Sequence, residues 1–316
     1  MKNVIFLGCN TDQLGYLKEF VRRKINVIGF DKNSNAPGKK FCDYFHNIPY
    51  TNFKEIIKIL NSYKINKNDY VFSAAQHHAF ISIYEISKKF KIRKLDLRTI
   101  KVCLDKVKLS QNLKDNNIFY PKSFLVKSKN DLKKIKLKKN INYFLKSDYG
   151  KTPKYIFKFN KNDKPPKLPN KDQFFKKYFI LQEEIKGIHY RLNIANDTIF
   201  VFKKINENKY ISINTKELKF FKIIKKKIKR LIFNHNLHFH ILKLDIIVSK
   251  NNWVVLDLGL DPPTRLLHQF ISNKINFYKI FIDFVIFKKL SFKKYQNKLR
   301  RIQIIIKKNK ILTKKI

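Results

Sequence analysis

Leu242–Arg265 reads LKLDIIVSKNNWVVLDLGLDPPTR and sets Asp245 and Asp257 twelve residues apart on two apolar runs. Residues 246–248 and 253–256 have the β-branched and aromatic content of strands, and Ser249-Lys250-Asn251-Asn252 has the composition of a hairpin turn. Adjacent strands lie about 5 Å apart, so a carboxylate from each can converge on one hard cation, with phosphate oxygens completing its shell. On this stretch alone a second reading stands beside the first: two Asp residues at strand ends, solvated or capping turns.

Upstream segments separate the two readings. Residues 179–187, FILQEEIKG, are an apolar strand running into polar residues and a Gly. Residues 143–150, YFLKSDYG, are a strand ending in Lys146 just before a loop that contains Gly150. Asp105 and Lys106 open a helix that runs to about Asn116 and is followed by Ile118-Phe119-Tyr120-Pro121. A strand Lys, a loop, a strand with Gln and Glu, and a two-carboxylate hairpin, in that order, resemble the ATP-grasp superfamily over roughly residues 100 to 270.

The resemblance implies a role for each segment. A nucleoside triphosphate needs cations at its phosphates, and Lys supplies a compact charge on a flexible stem; by resemblance these are Lys106 and Lys146, with Gly150 in the lid loop. The adenine ring would lie against the strand and linker that contain Gln182, Glu183 and Ile185, and Asp245 and Asp257 would hold Mg2+. Lys146 stands out from the many surface lysines because it ends an apolar strand. Arg265 is a candidate, with Lys146, for stabilising the transferred phosphoryl group.

The chain also departs from the family pattern. ATP-grasp ligases usually carry Glu-x-Asn-x-Arg where this chain has Asp257-Leu258-Gly259-Leu260-Asp261. The Asn that would ligate a second magnesium is Gly259, and the Arg is Asp261. The lid loop, Asp148-Tyr149-Gly150-Lys151-Thr152-Pro153-Lys154, has one Gly where several are common. His189, in Gly187-Ile188-His189-Tyr190-Arg191, lies where many members place an acidic residue against the ribose.

The first third of the chain reads as strands near residues 4–8, 26–30 and 69–73 alternating with helices such as 12–23, which predicts a parallel sheet with a crevice after its strands. Gly8-Cys9-Asn10-Thr11-Asp12 has one Gly and no G-x-G-x-x-G, which argues against a dinucleotide site. Residues 30–43 resemble the domain that precedes ATP-grasp in short carbamoyl-phosphate-synthase-like proteins and formate-dependent purine-pathway ligases. His77 and His78 fall where such proteins place a substrate-facing loop; an exposed helix start is the plainer reading.

The expected fold class is therefore α/β, a parallel-sheet pre-ATP-grasp domain (1–98) followed by a two-subdomain α+β ATP-grasp fold (99–285, with a small lid at about 119–184). A basic C-terminal extension (286–316), a helix or strand packed on the body, completes the chain. Lys and Arg number 70 against 23 Asp and Glu, a net charge of +47. That balance would ordinarily suggest a polyanion or anionic membrane partner. Only nine of those residues are Arg, however, and Lys, Asn, Ile and Phe all have AT-rich codons, so codon bias accounts for much of the load and nucleic acid is not the expected partner. Three Cys without metal spacing fit a reduced, cytoplasmic setting, and no run of 18 apolar residues predicts a membrane span. The expected activity is an ATP- and Mg2+-dependent carboxylate–amine ligase acting through an acyl phosphate on a small carboxylate and an amine, compatible with a homodimer. The alternatives are a catalytically inactive nucleotide-binding homologue and, with charge alone in its favour, a polyanion-binding protein.

Overall fold

In the computed structural model residues 2–75, 79–93, 96–147, 156–163, 178–235, 237, 240–288, 292–296, 298–307 and 310–315 are described. The N-terminal region runs β1 (Asn3–Leu7), α1 (Leu14–Arg22), β2 (Asn26–Phe30), β3 (Tyr44–His46), α2 (Phe53–Leu60), β4 (Tyr70–Phe72) and α3 (Ala79–Lys89). Its four strands form a parallel sheet in the order β3-β2-β1-β4. Val4 to Leu7 are fully buried, as strands covered on both faces must be. Ile5, Leu7, Ile28 and Phe30 pack on Ile56 and Leu60 of α2 and Ile86 of α3, while Val4, Phe6 and Val27 pack on Phe20 of α1. Gly8 turns the chain after β1 at φ 90°, a conformation side chains resist.

Two helices follow, α4 (Leu97–Leu104) and α5 (Lys106–Asp115). Asp105 starts α5 by accepting the Val107 and Lys108 amides at 2.9 and 3.0 Å, which fixes Lys106 at its first turn. A small antiparallel sheet comes next: β5 (Ser123–Val126), α6 (Lys129–Lys134), β6 (Tyr143–Ser147), β7 (Ile156–Phe159) and β8 (Phe179–Glu183), in the order β5-β8-β6-β7. Val126, Tyr143, Leu145, Phe159 and Leu181 give it a core of its own.

The remaining chain builds the main sheet. Its elements are β9 (Ile188–Ala195), β10 (Thr198–Asn206), β11 (Lys209–Ile213), α7 (Phe221–Asn234), β12 (Ile241–Val248), β13 (Trp253–Gly259), α8 (Thr264–Ser272), α9 (Phe277–Val285), α10 (Lys293–Gln296), β14 (Ile302–Lys307) and β15 (Lys310–Lys315). The antiparallel order is β13-β12-β9-β10-β11-β14-β15, so β14 and β15 extend this sheet beyond β11. Leu192, Ile194, Leu242 and Leu244 point to one face and meet Ile224, Ile228 and Leu231 of α7. The opposite face contributes Phe200, Phe202 and Ile302 to a cluster with Phe270 and Phe277, and that cluster continues into Phe6 and Phe20. One core thus joins the two large sheets. Among the described residues no helix is long and apolar enough to cross a membrane.

Candidate active site

The two carboxylates meet because of a bulge. Val248 pairs with Trp253, Ile247 with Val254 and Ile246 with Val255, closing a turn in which Ser249 and Asn252 are hydrogen-bonded at 2.8 Å. Continued regularly, that ladder would set Asp245 opposite Leu256 and turn Asp257 toward the apolar side. Instead the register shifts after Ile246, Leu256 is skipped, and Asp245 lies directly opposite Asp257. The strands are also longer than the sequence suggests, so both carboxylates sit inside the ladder and not at its ends.

The same ladder extends to β9, where Asp245 faces Arg191. His189, Arg191 and Asn193 alternate with the core residues Tyr190, Leu192 and Ile194, and therefore share the face of Asp245. Arg191 Nε donates to Asp245 Oδ1 at 2.7 Å and a second Arg191 nitrogen donates to Oδ2, a bidentate pair. His189 Nε2 stands 3.4 Å from Asp245 Oδ1. Burial by itself would raise the Asp245 pKa, but the charge and hydrogen bonds of Arg191, with the nearby His189 ring, outweigh it and hold the carboxyl well below the usual range. Burial pulls the other way on Arg191 too, and the facing carboxylate more than offsets it, raising the guanidinium pKa.

Lys146, on β6 of the small sheet, is half-buried and feels the charges of this row. Its pKa is lowered to about 8, first by burial and then by the charge of Lys106, while Asp257 and Asp245 pull it back up. Lys106, Lys146, Asp245 and Asp257, drawn from a helix and two different sheets, therefore share one local field. Arg265, at the first turn of α8, lies with its guanidinium 3.7 Å from the centre of the Tyr210 ring. Burial and then the nearby Arg191 lower its pKa, and its buried Nε has no acceptor among the described residues.

The strand β8 and the linker after it connect the small sheet to β9. The Gln182 side chain donates to Ser123 Oγ at 2.9 Å within the small sheet. The Glu183 carboxylate is 4.0 Å from Lys138 Nζ, and the Glu183 and Glu184 amides donate to Lys122 and Asn142 carbonyls. Ile185 is half-buried, and its amide makes no hydrogen bond among the described residues. Gly187 presses on β12: a Cβ there would stand 2.5 Å from the Val248 carbonyl oxygen. Gly150, the rest of the 148–155 loop, and His77 and His78 lie outside the described residues.

The donor set limits what the site could hold. Among the described residues no three His, Cys, Asp or Glu side chains form a metal-binding group. Asp257 and the lone pairs of Asp245 not taken by Arg191 fit one divalent cation, provided ligand oxygens complete its shell. In the next row Lys243 faces Gly259 and is paired with Asp261. Neither Arg191 nor Lys243 falls at a position to which the resemblance assigns a role, although the alternation in IHYRLNIA and ILKLD marks both as polar-face residues. A separate cavity of about 350 Å³ runs along the free edge of β4, past Tyr70, Phe80, His240 and Leu260, and contains none of these site residues.

No family model matches the sequence, and no curated protein does either. Solved structures match in shape. Phosphoribosylglycinamide synthetase from Anaerococcus prevotii superposes with a TM-score of 0.65 at 17% identity, over 98% of this chain and 82% of that one. L-amino acid ligase from Bacillus licheniformis gives 0.70 at 14% identity, over 97% and 80%. N5-carboxyaminoimidazole synthetase from Staphylococcus aureus, solved with ADP, gives 0.70 at 13% identity, over 96% and 82%. A parallel N-terminal sheet, a small antiparallel sheet and a large one joined in this order give the chain the ATP-grasp fold.

Proposed function

We propose that the chain is an ATP-dependent carboxylate–amine ligase. The observation that carries this reading is the shared field of Lys106, Lys146, Asp245 and Asp257, drawn from a helix, the small sheet and the main sheet. Phosphoryl transfer depends mainly on positioning and charge neutralisation, and this cluster supplies both. Lys106 and Lys146 would bind the phosphates, and the open amide of Ile185 would face the adenine edge. Asp257 and Asp245 would hold one Mg2+, whose chemistry is neutralisation of phosphate charge. A carboxylate oxygen would attack the terminal phosphorus with loss of ADP, and an amine would then displace phosphate from the acyl carbon. Arg265, with its unfilled Nε, would bear on the charge of the transferred group. The solved ligases of the same fold, one with ADP bound, add support by analogy.

Calorimetry with Mg-ATP and Mg-GTP tests the binding step, with a preference for ATP expected. Equal binding of GTP, or none of ATP, removes the reading. Release of ADP with a panel of small carboxylates and amines tests turnover. A second reading, nucleotide binding without turnover, is favoured by one observation, the Lys243–Asp261 pair beside Gly259. Mg-ATP binding with no ADP from any substrate pair would select it.

A further inference from the structure

The main sheet presents its polar residues in rows. Nearest the linker from the small sheet is His189; the next row is Arg191, Asp245 and Asp257; the third is Asn193, Lys243 and Gly259. Successive rows are about 7 Å apart, two residues along an antiparallel strand. With a base at the linker and phosphates at the carboxylate row, the third row is where the terminal phosphate would arrive. This placement rests on the nucleotide-binding reading above.

That third row holds one cation and an unfilled polar group. Lys243 alternates with the core residues Leu242 and Leu244, so it shares the face of Asp245. Its ammonium is held by Asp261, with 9% of the Lys243 side chain and 18% of the Asp261 side chain still exposed. Asn193, its partner across the ladder on β9, is fully buried, and neither atom of its amide finds a partner among the described residues. Buried amides are rarely left open, and one beside a fixed ammonium marks a place where a polar ligand or water completes the set. On the other side Gly259 brings no side chain at all.

We infer that Lys243, clamped by Asp261, is a terminal-phosphate-binding residue whose ammonium occupies the role of a second divalent cation, so that the nucleotide complex carries one divalent ion per chain. A single positive charge on a flexible stem suits a phosphate as a point contact, and the Asp261 carboxylate keeps it in place before the nucleotide binds.

The experiment counts Mn2+ by electron paramagnetic resonance in the wild-type chain saturated with a β,γ-methylene ATP analogue. One Mn2+ per bound nucleotide is expected, and two would overturn the inference. A second measurement compares that analogue with ADP in Lys243→Met/Asp261→Asn, which removes both charges together. The analogue should bind at least tenfold more weakly, ADP should change by less than about twofold, and Lys243→Arg should restore most of the loss. Equal losses for both nucleotides, or no loss, would show the pair to be structural. Should the wild-type chain bind neither nucleotide, the ligase reading falls first and this inference with it. The Mn2+ count needs no variant, so an unfolded mutant does not rescue the idea.

Discussion

Asp245 and Asp257 face each other in the ladder, yet they should not respond alike to substitution. Asp245→Asn strands the Arg191 guanidinium, whose side chain is 22% exposed, without its bidentate partner. Breaking a pair this buried costs about 3 kcal/mol, so chemical denaturation should show a clearly destabilised protein. Asp257→Asn removes no such partner and should leave stability nearly unchanged while abolishing the extra thermal shift that Mg-ATP gives over ATP alone. Lys146 adds a pH signature. Its folded pKa lies below the ordinary lysine value of 10.5, at about 8, so between those values the unfolded chain binds more protons than the folded one. Stability contributed by this group therefore rises with pH across that window, whereas phosphate affinity falls above about pH 8 as the ammonium deprotonates. Calorimetric ATP affinity at pH 7 and pH 9 checks the sign, and Lys146→Met should flatten the dependence.

Among the elements, the hairpin was legible in outline and not in register. The two apolar runs and the turn were plain in the sequence, but no residue type announces that Leu256 leaves the ladder, and that one shift turns Asp257 to the face of Asp245. Residues 188–195 carried a readable period of two, with polar His189, Arg191 and Asn193 on one side. The last two strands were obscured because their apolar residues do not sort by burial: Ile302 and Ile304 are buried, Ile305, Ile306 and Ile311 only partly, and Leu312 is exposed beside Thr313, Lys314 and Lys315. Lys106 was readable for a local reason, the Asp105 cap, whereas the pairing of Lys243 with Asp261 depends on where the chain goes after β13. Gly187 was visible as a linker glycine, but its need for close approach to β12 is tertiary. Gly187→Ala should destabilise by about 1–3 kcal/mol, because the Val248 carbonyl oxygen must retreat from the added methyl. Urea unfolding measures that cost, and a neutral result would mean the linker gives way instead.

At the scale of the whole molecule, one aromatic core joins the parallel sheet to the main sheet through contacts such as Phe72 with Phe281, 6.2 Å between centroids, and Gly15 under the Tyr278 ring. The alternation of strands and helices that marks the N-terminal region was readable because buried strands there are apolar throughout. Its contact with α9, some 270 residues from β1, was not, since Phe is spread along the whole sequence and its neighbours are set by the fold. The net charge of +47 carries a separate expectation. If the lysines are a by-product of codon usage, DNA and RNA should bind weakly and lose that binding by roughly 200 mM salt, as counterion release without specific contacts requires. Fluorescence anisotropy across a salt series decides it, and tight, sequence-dependent binding at that salt would sink the codon explanation.

The bulge at Leu256 makes the hairpin unequally tolerant of changes in length. Removing Leu256 would leave a regular ladder with Asp245 still opposite Asp257 and both on the same face, since the skipped residue is the one lost. Removing a residue from the turn at 249–252 gives no such protection, because it invites a slip that pairs each carboxylate with an apolar neighbour. Descendants of this chain should therefore gain or shed a residue at the bulge far more readily than at the turn, which makes the site heritable through one kind of length change and fragile to the other.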